Sequence, residues 1–392
     1  MSIPITYWLI FLFALGASVG SFLNVVVYRM PRDMSIIRPG SHCTSCKHPL
    51  AWYDNVPIIG WFLLRGRCRY CGAAFSVRYA LVELFTALLF VLLFWAYFIL
   101  RVREGMPGVT QGGWLIYGGH IFLLSALLAS SLIDAEHWII PLQVTYTVVI
   151  VAFILSMIWP YFLEPPAEKW WCLAPYASPV TGALALGGAL GVVFSLLMLK
   201  YKLIKPSFAE LDELEVQVRQ TGTEPAQINI NIRREILREM IFLAPIGLCG
   251  GVVWAILTKA GIVVSWWETF LVGQKWSAGL LGSVYGYMIG AAVVWITRIL
   301  GTLAFGREAM GLGDVHLMGA VGAMLGWISP TIAFFVAPFM GLGWAVARLV
   351  LHRTREIPYG PFLSLASLLV MILHDPMINY FFEMLAPQRL LP

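Results

Sequence analysis

Apolar residues recur along the whole chain in runs near twenty residues long, separated by short polar loops. The pattern predicts ten spans, near 5–28, 79–100, 114–133, 140–161, 179–200, 241–262, 277–300, 313–328, 330–351 and 361–383. About twenty apolar residues in an α-helix match the hydrocarbon thickness of a bilayer. A single segment in lipid satisfies its own backbone only as a helix, so the expected fold is an all-α polytopic membrane protein. The eighth span is short and rich in Gly and Ala, which suits a helix that is tilted or shielded by its neighbours. The first run, "IPITYWLIFLFALGASVGSFLNVVVY", lacks a basic start and is too long for the apolar core of a secretory signal. It is expected to remain as the first span.

Composition agrees, with 59% hydrophobic and 12% charged residues. The formal charge of +5 does not point to nucleic acid, because the basic residues fall in short loops rather than on one face. Loop 29–78 carries Arg29, Arg32, Arg38, Lys47, Arg65, Arg67, Arg69 and Arg78, loop 200–238 carries Lys200, Lys202, Lys205, Arg219, Arg233, Arg234 and Arg238, and Arg348, Arg353 and Arg355 follow the ninth span. Ten alternating spans put all three on one side if the N-terminus is outside, and the positive-inside rule makes that side cytoplasmic. The opposite loops, "FLEPPAEKWWCLAPYASP" and "VSWWETFLVGQKWS", are rich in Trp, as interfacial anchors are. Arg101 and Arg103 count against the scheme.

The same scheme brings two acids to one membrane depth. Asp134, in "SLIDAEHWIIP", ends the third span at the cytoplasmic side, and Asp314, in "GLGDVHLMG", begins the eighth from that side. Carboxylates are expensive in a membrane segment, so each asks for a purpose. Two close carboxyls cannot both ionise cheaply; one keeps its proton and polarises a carbonyl while the other takes a proton from water. That is peptide hydrolysis without a catalytic metal. Gly311 and Gly313 would let the backbone bend or admit a substrate strand close to Asp314. The plainer alternative is an acid capping a helix N-terminus beside small packing residues.

The loop before the second span holds Cys43 and Cys46, then Cys68 and Cys71, two C-x-x-C turns separated by 21 residues. That spacing is close to that of a structural zinc site, in which four thiolates close a tetrahedron. A loop too small for its own core gains its fold from such a metal. Disulfides or free thiols are the alternatives, and a cytoplasmic, reducing side disfavours the former. Cys172 and Cys249 lack such partners.

These residues together resemble the type IV prepilin peptidases, membrane aspartic proteases of type IV pilus and type II secretion systems. The likeness rests on "GSFLNVVVYRMPR" (20–32), the paired C-x-x-C loop, "VRYALVELFTALLF" (77–90), "IDAEHWIIP" (133–141), "EAMGLGDVHLMGAVGAMLGW" (308–327) and "IPYGPFLSLAS" (357–367). They occur in the family's order and cover nearly the whole chain apart from one insertion. The resemblance implies Asp134 and Asp314 as the catalytic pair, Gly311 and Gly313 shaping the second site, and Zn²⁺ on Cys43, Cys46, Cys68 and Cys71. It implies cleavage of a short basic leader from prepilin-like substrates at the cytoplasmic face of the bacterial inner membrane. It also implies methylation of the new N-terminus from S-adenosylmethionine where that second activity is retained.

The chain departs from the family pattern at Pro141–Leu142, where "LPD" is common, at Glu136, where a second Asp is common, and at His316, where a Lys is common. These departures bear on substrate positioning and pH response rather than on hydrolysis. Glu83 fits either a functional or a structural reading, since an acid early in a helix is favoured by the macrodipole. Asn24 and Ser21 read as interhelical hydrogen-bonders, His137 as an interfacial residue beside Asp134, and Glu308 as a solvated loop residue.

The expected organisation is a first span (1–28), a cytoplasmic four-cysteine zinc loop (29–78), helices carrying the first aspartate (79–178), an inserted hairpin (179–262) with a charged cytoplasmic loop (200–240), and helices carrying Gly-Leu-Gly-Asp (263–392). The family plan has eight spans, and the hairpin accounts for the other two. The inserted loop mixes acids and bases, with an amphipathic helix expected at "NIRREILREMIFL" and partial order elsewhere. Three other readings are a transporter with intramembrane carboxylates, a non-catalytic secretion scaffold, and a presenilin-like protease. The four-cysteine loop and "IPYGPF" argue against the last.

Overall fold

A computed structural model describes residues 4–163, 174–208, 231–259, 269, 274–352 and 358–385. Most of both Trp-rich outer loops, Cys172, the charged stretch 209–230, Arg353 and Arg355 lie outside the described residues. Each of the ten expected spans coincides with a helix. In chain order the helices are α1 (Ile5–Arg29), α2 (Ile59–Leu64), α3 (Arg78–Phe94), α4 (Gly113–His137), α5 (Leu142–Ile158), α6 (Pro179–Lys200), α7 (Ile232–Lys259), α8 (Lys275–Phe305), α9 (Leu312–Leu325), α10 (Ile328–His352) and α11 (Gly360–Leu385). Eight of the helical segments are long and apolar enough to cross a membrane, with Leu312–Leu325 and Ile328–Trp344 as shorter apolar helices. The protein is an all-α, multi-pass membrane protein; no strand occurs among the described residues.

The chain divides into two compact units, one of Met1–Val151 with Ile332–Pro392 and the other of Ala152–Thr331. In the first, small residues let α1 approach α3: a Cβ on Gly16 would lie 2.8 Å from the Cα of Ala87, and one on Gly20 2.7 Å from the Cα of Glu83. In lipid, where apolar surface gains little by leaving the solvent, such close backbone approach is what holds helices together. A cluster of Leu23, Val26, Val27, Ala129, Ile133 and Val144 ties α1, α4 and α5 together around the end of α4. Arg103, which dissents from the charge count, is 2% exposed and lies within electrostatic reach of Asp375. It is a buried structural charge rather than a free loop charge.

In the second unit, α6 starts where Ser178 caps it, its hydroxyl accepting from the Thr181 N–H at 3.2 Å, with Pro179 at the first helical position. α7 starts nine residues before the apolar run expected at 241. Asn231 caps it through Oδ1, accepting from the Arg234 N–H at 3.3 Å. The amphipathic segment expected at 231–243 is therefore helical from Ile232 and continuous with the sixth span. α9 has 14 residues, about 21 Å at 1.5 Å per residue, short of the roughly 30 Å hydrocarbon layer. Its shielding is evident: every residue from Leu317 to Leu325 is buried. Gly286 of α8 and Gly322 of α9 meet so closely that a Cβ on either would collide with the other's carbonyl oxygen.

Candidate active site and metal centre

The cysteine loop is built from two turns of the same design. In the first, the Cys43 N–H donates to the His48 carbonyl at 3.0 Å and the Lys47 N–H to the Cys43 carbonyl at 2.9 Å. In the second, the Cys68 N–H donates to the Ala73 carbonyl at 2.9 Å and the Gly72 N–H to the Cys68 carbonyl at 2.9 Å. Each turn closes through a residue with left-handed backbone just after its second cysteine, Lys47 (φ 60°) and Gly72 (φ 68°). Between the turns, Asp54 takes a forked pair of bonds from Arg69, the shortest 2.6 Å, with the Asp54 side chain 2% exposed. Arg29, 5% exposed, gathers the carbonyls of Ser35, Pro39 and Gly40.

These constraints bring all four sulfurs within 4.8 Å of one another. Cys43 Sγ and Cys71 Sγ are 3.8 Å apart, the edge of a tetrahedron whose metal–sulfur bonds are about 2.3 Å. The four cysteines are free thiols, and the cluster is able to bind a metal. Backbone N–H groups of Cys46 and Ser45 pull the Cys43 thiol down to about 6. Cys71 feels a lowering pull from the Ala73 N–H, but desolvation and the other three thiols outweigh it and push the group up to about 11. The Cys43 thiolate forms readily while Cys71 resists, an imbalance that a cation shared by the sulfurs would relieve.

A cavity of about 210 Å³ lies beside this loop, bordered by α1, α2 and α3, with Ser21, Asn24, Trp61, Tyr79 and Glu83 in its wall. Glu83 is 8% exposed and accepts the Ile58 N–H at 2.6 Å, tying the loop to α3 at the start of α2. Asn24 donates to the Tyr79 carbonyl at 3.0 Å, the interhelical bond expected of it.

Asp134 lies in the last turn of α4 and is 7% exposed. Its Oδ2 accepts the N–H of Gly360, the first residue of α11, at 3.0 Å. Trp138 then ends α4 in a left-handed conformation, its N–H returning to the Asp134 carbonyl at 2.9 Å. Next to it Glu136 pairs with Arg78 and lies 3.9 Å from His137 Nε2. Gly360, within the "IPYGPF" stretch, is a site residue that sequence reasoning did not single out.

Asp314 is the third residue of α9 and is 9% exposed. Gly311 occupies the N-cap with ordinary backbone angles (φ −73°), and no side chain caps the helix. The carboxylate thus sits in the first turn, where the helix dipole favours negative charge. A Cβ on Gly311 would meet nothing nearer than Asp314 Oδ2 at 3.7 Å, so the chain itself does not demand a glycine there. Gly313 is the second residue of the same turn. His316 accepts or donates at Nδ1 to the Tyr287 hydroxyl at 2.8 Å. Glu308 is exposed in its loop, as expected, and also pairs with the buried Arg298 at 2.6 Å. Asp134 belongs to the first compact unit and Asp314 to the second.

Residues 14–97 match the family described as Bacterial Peptidase A24 N-terminal domain, which takes in the latter part of α1, the cysteine loop and α3. A prepilin leader peptidase/N-methyltransferase of Klebsiella pneumoniae is 37% identical over 184 residues, 45% of this chain and 69% of that protein. The chain belongs to the prepilin leader peptidase/N-methyltransferase family. A relative of that name from Myxococcus xanthus (strain DK1622) is 46% identical over 140 residues, 35% of this chain and 36% of its own length. Another, from Aeromonas hydrophila, is 24% identical over 401 residues, 95% of this chain and 92% of that protein. No solved structure matches the chain. Membership of the prepilin leader peptidase/N-methyltransferase family sets aside the presenilin-like alternative.

Proposed function

We propose that this protein is an aspartic endopeptidase of the bacterial inner membrane that removes the leader of prepilin-like proteins at the cytoplasmic face. Asp134 and Asp314 are its dyad. The observation that carries this reading is the state of the two acids: each is at least nine-tenths buried at a helix end, in two of the stretches that resemble the prepilin peptidases. Buried carboxylates without purpose are selected against in a membrane chain. The Gly360 N–H holds one oxygen of Asp134 and leaves the other for water or substrate. One ionised carboxylate takes a proton from water as its oxygen attacks the scissile carbonyl carbon. The protonated partner gives its proton to the carbonyl oxygen, and collapse of the tetrahedral intermediate breaks the C–N bond with proton transfer to the departing amine.

The metal at Cys43, Cys46, Cys68 and Cys71 is zinc, and its role is structural, since all four ligand positions are taken by sulfur. N-methylation is the second activity, with S-adenosylmethionine as donor. The cavity beside the cysteine loop suits it, because the buried Glu83 carboxylate complements a sulfonium cation and Trp61 and Tyr79 offer aromatic surface. Each expected domain keeps its part in this scheme, with 29–78 as the metal-bearing cytoplasmic loop.

The test is to incubate the purified full chain with a prepilin leader peptide and S-adenosylmethionine and to follow both products by mass. Cleavage that disappears in Asp134→Asn and in Asp314→Asn, with both variants at normal membrane levels, supports the dyad. Parental cleavage by either variant defeats it. Calorimetric binding of S-adenosylhomocysteine, weakened by Glu83→Gln, tests the cavity separately from activity.

A further inference from the structure

The loop that leads into Asp314 is held by a buried guanidinium. Arg298, near the end of α8 and 1% exposed, donates from Nη1 to Glu308 at 2.6 Å and to the Met310 carbonyl at 2.5 Å. Its Nε donates to Glu239 of α7 at 3.0 Å. Glu239 is 3% exposed, and its carboxylate also accepts from Trp295 Nε1 at 3.0 Å and from the Ser207 hydroxyl at 3.1 Å. One turn earlier, Glu235 accepts the Phe208 N–H at 2.8 Å and pairs with Arg238 at 2.6 Å. Thr302 adds a second tie, its hydroxyl accepting the Ala309 N–H at 3.2 Å. Residues 308, 309 and 310 are thus each bonded to α8, and Asp314 follows within one turn of α9.

Burying a charge is costly unless its hydrogen-bonding groups are matched, and replacing a buried ion pair by apolar side chains is often neutral or stabilising. Packing of α8 against α7 therefore gives no reason for an arginine here. Arginine supplies a fork of fixed geometry, reaching at once a carboxylate on another helix, a loop carboxylate and a loop carbonyl. The most buried of those acceptors, Glu239, comes from the hairpin between 179 and 262.

We propose that Arg298 and Glu239 are positioning residues for Asp314, and that the α6–α7 hairpin is a brace for the proteolytic motif rather than an accessory. The inference rests on the assignment of Asp314 to the proteolytic site. Without the brace, the turn from Gly306 to Gly311 loses two of its ties to α8 and keeps those through Thr302. Asp314 then spends less time in the reactive geometry, a loss that falls on kcat rather than on KM.

The experiment uses the full chain in detergent with a leader peptide, comparing the parent with Arg298→Met, Arg298→Lys, Glu239→Gln and Glu308→Gln. Arg298→Met is expected to lower kcat by about 10- to 100-fold with KM changed by less than about threefold. Arg298→Lys and the two Gln variants, which keep part of the bonding, fall between it and the parent. Amide exchange of residues 307–314 accelerates in Arg298→Met while 317–325 keep their protection. Parental kcat in Arg298→Met overturns the brace, as does faster exchange spread evenly over α7, α8 and α9, which marks a merely structural role. The two readings separate cleanly. Inactive Asp314→Asn beside unaffected Arg298→Met defeats the brace alone, whereas active Asp314→Asn removes the site on which the brace depends.

Discussion

Replacing Gly360 with alanine asks whether Asp134 must be held in one orientation. The Gly360 N–H reaches Asp134 Oδ2 at 3.0 Å. A Cβ at Gly360 would lie 2.8 Å from that same oxygen, 3.3 Å from Asp134 Cγ and 3.2 Å from Ile140 Cδ1. Ordinary contact starts at 3.4 Å, so the carboxylate must retreat by about 0.6 Å. The end of α4 cannot follow as a body, because Ile133 beside Asp134 is fully buried in the cluster with Leu23, Val26 and Val144. The side chain has to turn instead, and its bond to the Gly360 N–H weakens. Helix formation does not suffer, since alanine is favoured over glycine in a helix by up to about 1 kcal/mol. A displacement approaching 1 Å costs a catalytic group up to about 100-fold, so Gly360→Ala is expected to lower kcat by about 10- to 100-fold, or ~1.4–2.7 kcal/mol in barrier. Initial rates at saturating leader peptide measure it, with thermal unfolding as the check on the fold. Parental kcat in a folded Gly360→Ala protein would refute the claim that this bond aims the carboxylate.

Gly311 makes the complementary experiment. Its backbone is ordinary and an added Cβ meets only Asp314 Oδ2, at 3.7 Å, and the neighbouring Gly313 N–H. Gly311→Ala should therefore leave stability within about 1 kcal/mol of the parent. If glycine is there to admit a substrate strand, KM rises in that variant. Unchanged kcat and KM would end the substrate-approach reading and leave Gly311 as a helix cap.

Elemental analysis of the purified chain should find about one zinc per chain, lost in Cys43→Ser with Cys46→Ser; a Cys43–Cys46 disulfide trapped by rapid thiol blocking would count against the site. In metal-stripped protein the lowered Cys43 thiol ionises before Cys71, so its alkylation rises as pH passes about 6, whereas Cys71 stays protonated until about 11. Equal reactivity of the two at pH 8 contradicts that ordering. For the ten-span topology, single cysteines at the exposed Lys202 and Lys275 serve well. Lys202→Cys should label only from the cytoplasm and Lys275→Cys only from outside, and labelling of both from one side refutes the scheme.

Hydropathy alone located all ten spans because each has to satisfy its backbone within one contiguous apolar run, a local property that a sequence window can see. It missed the start of α7 by nine residues for a reason visible in Glu235 and Glu239. Charge lowers the hydropathy of a window whether it faces water or a buried partner. The partners here, the Phe208 N–H and Arg298, lie 27 and 59 residues away. The same blindness hid the pairing of the exposed Glu308 with Arg298, since Arg298 reads only as one basic residue near the end of a span.

The cysteine loop was legible for the opposite reason. Metal spacing is written in short turns, so two C-x-x-C pairs imply two knuckles wherever the rest of the loop goes. The aspartates fall between these cases. Their presence at helix ends is local, but what aims Asp134 is a backbone N–H 226 residues downstream. A glycine whose whole contribution is an N–H and the absence of a side chain leaves no mark in charge, hydropathy or periodicity. Only the near-contact between its missing Cβ and the carboxylate shows why that position, within a stretch that already resembles the family, is glycine. Residue 360 comes under that requirement only once α4 has packed against α11, so no window of sequence around it could have carried the signal.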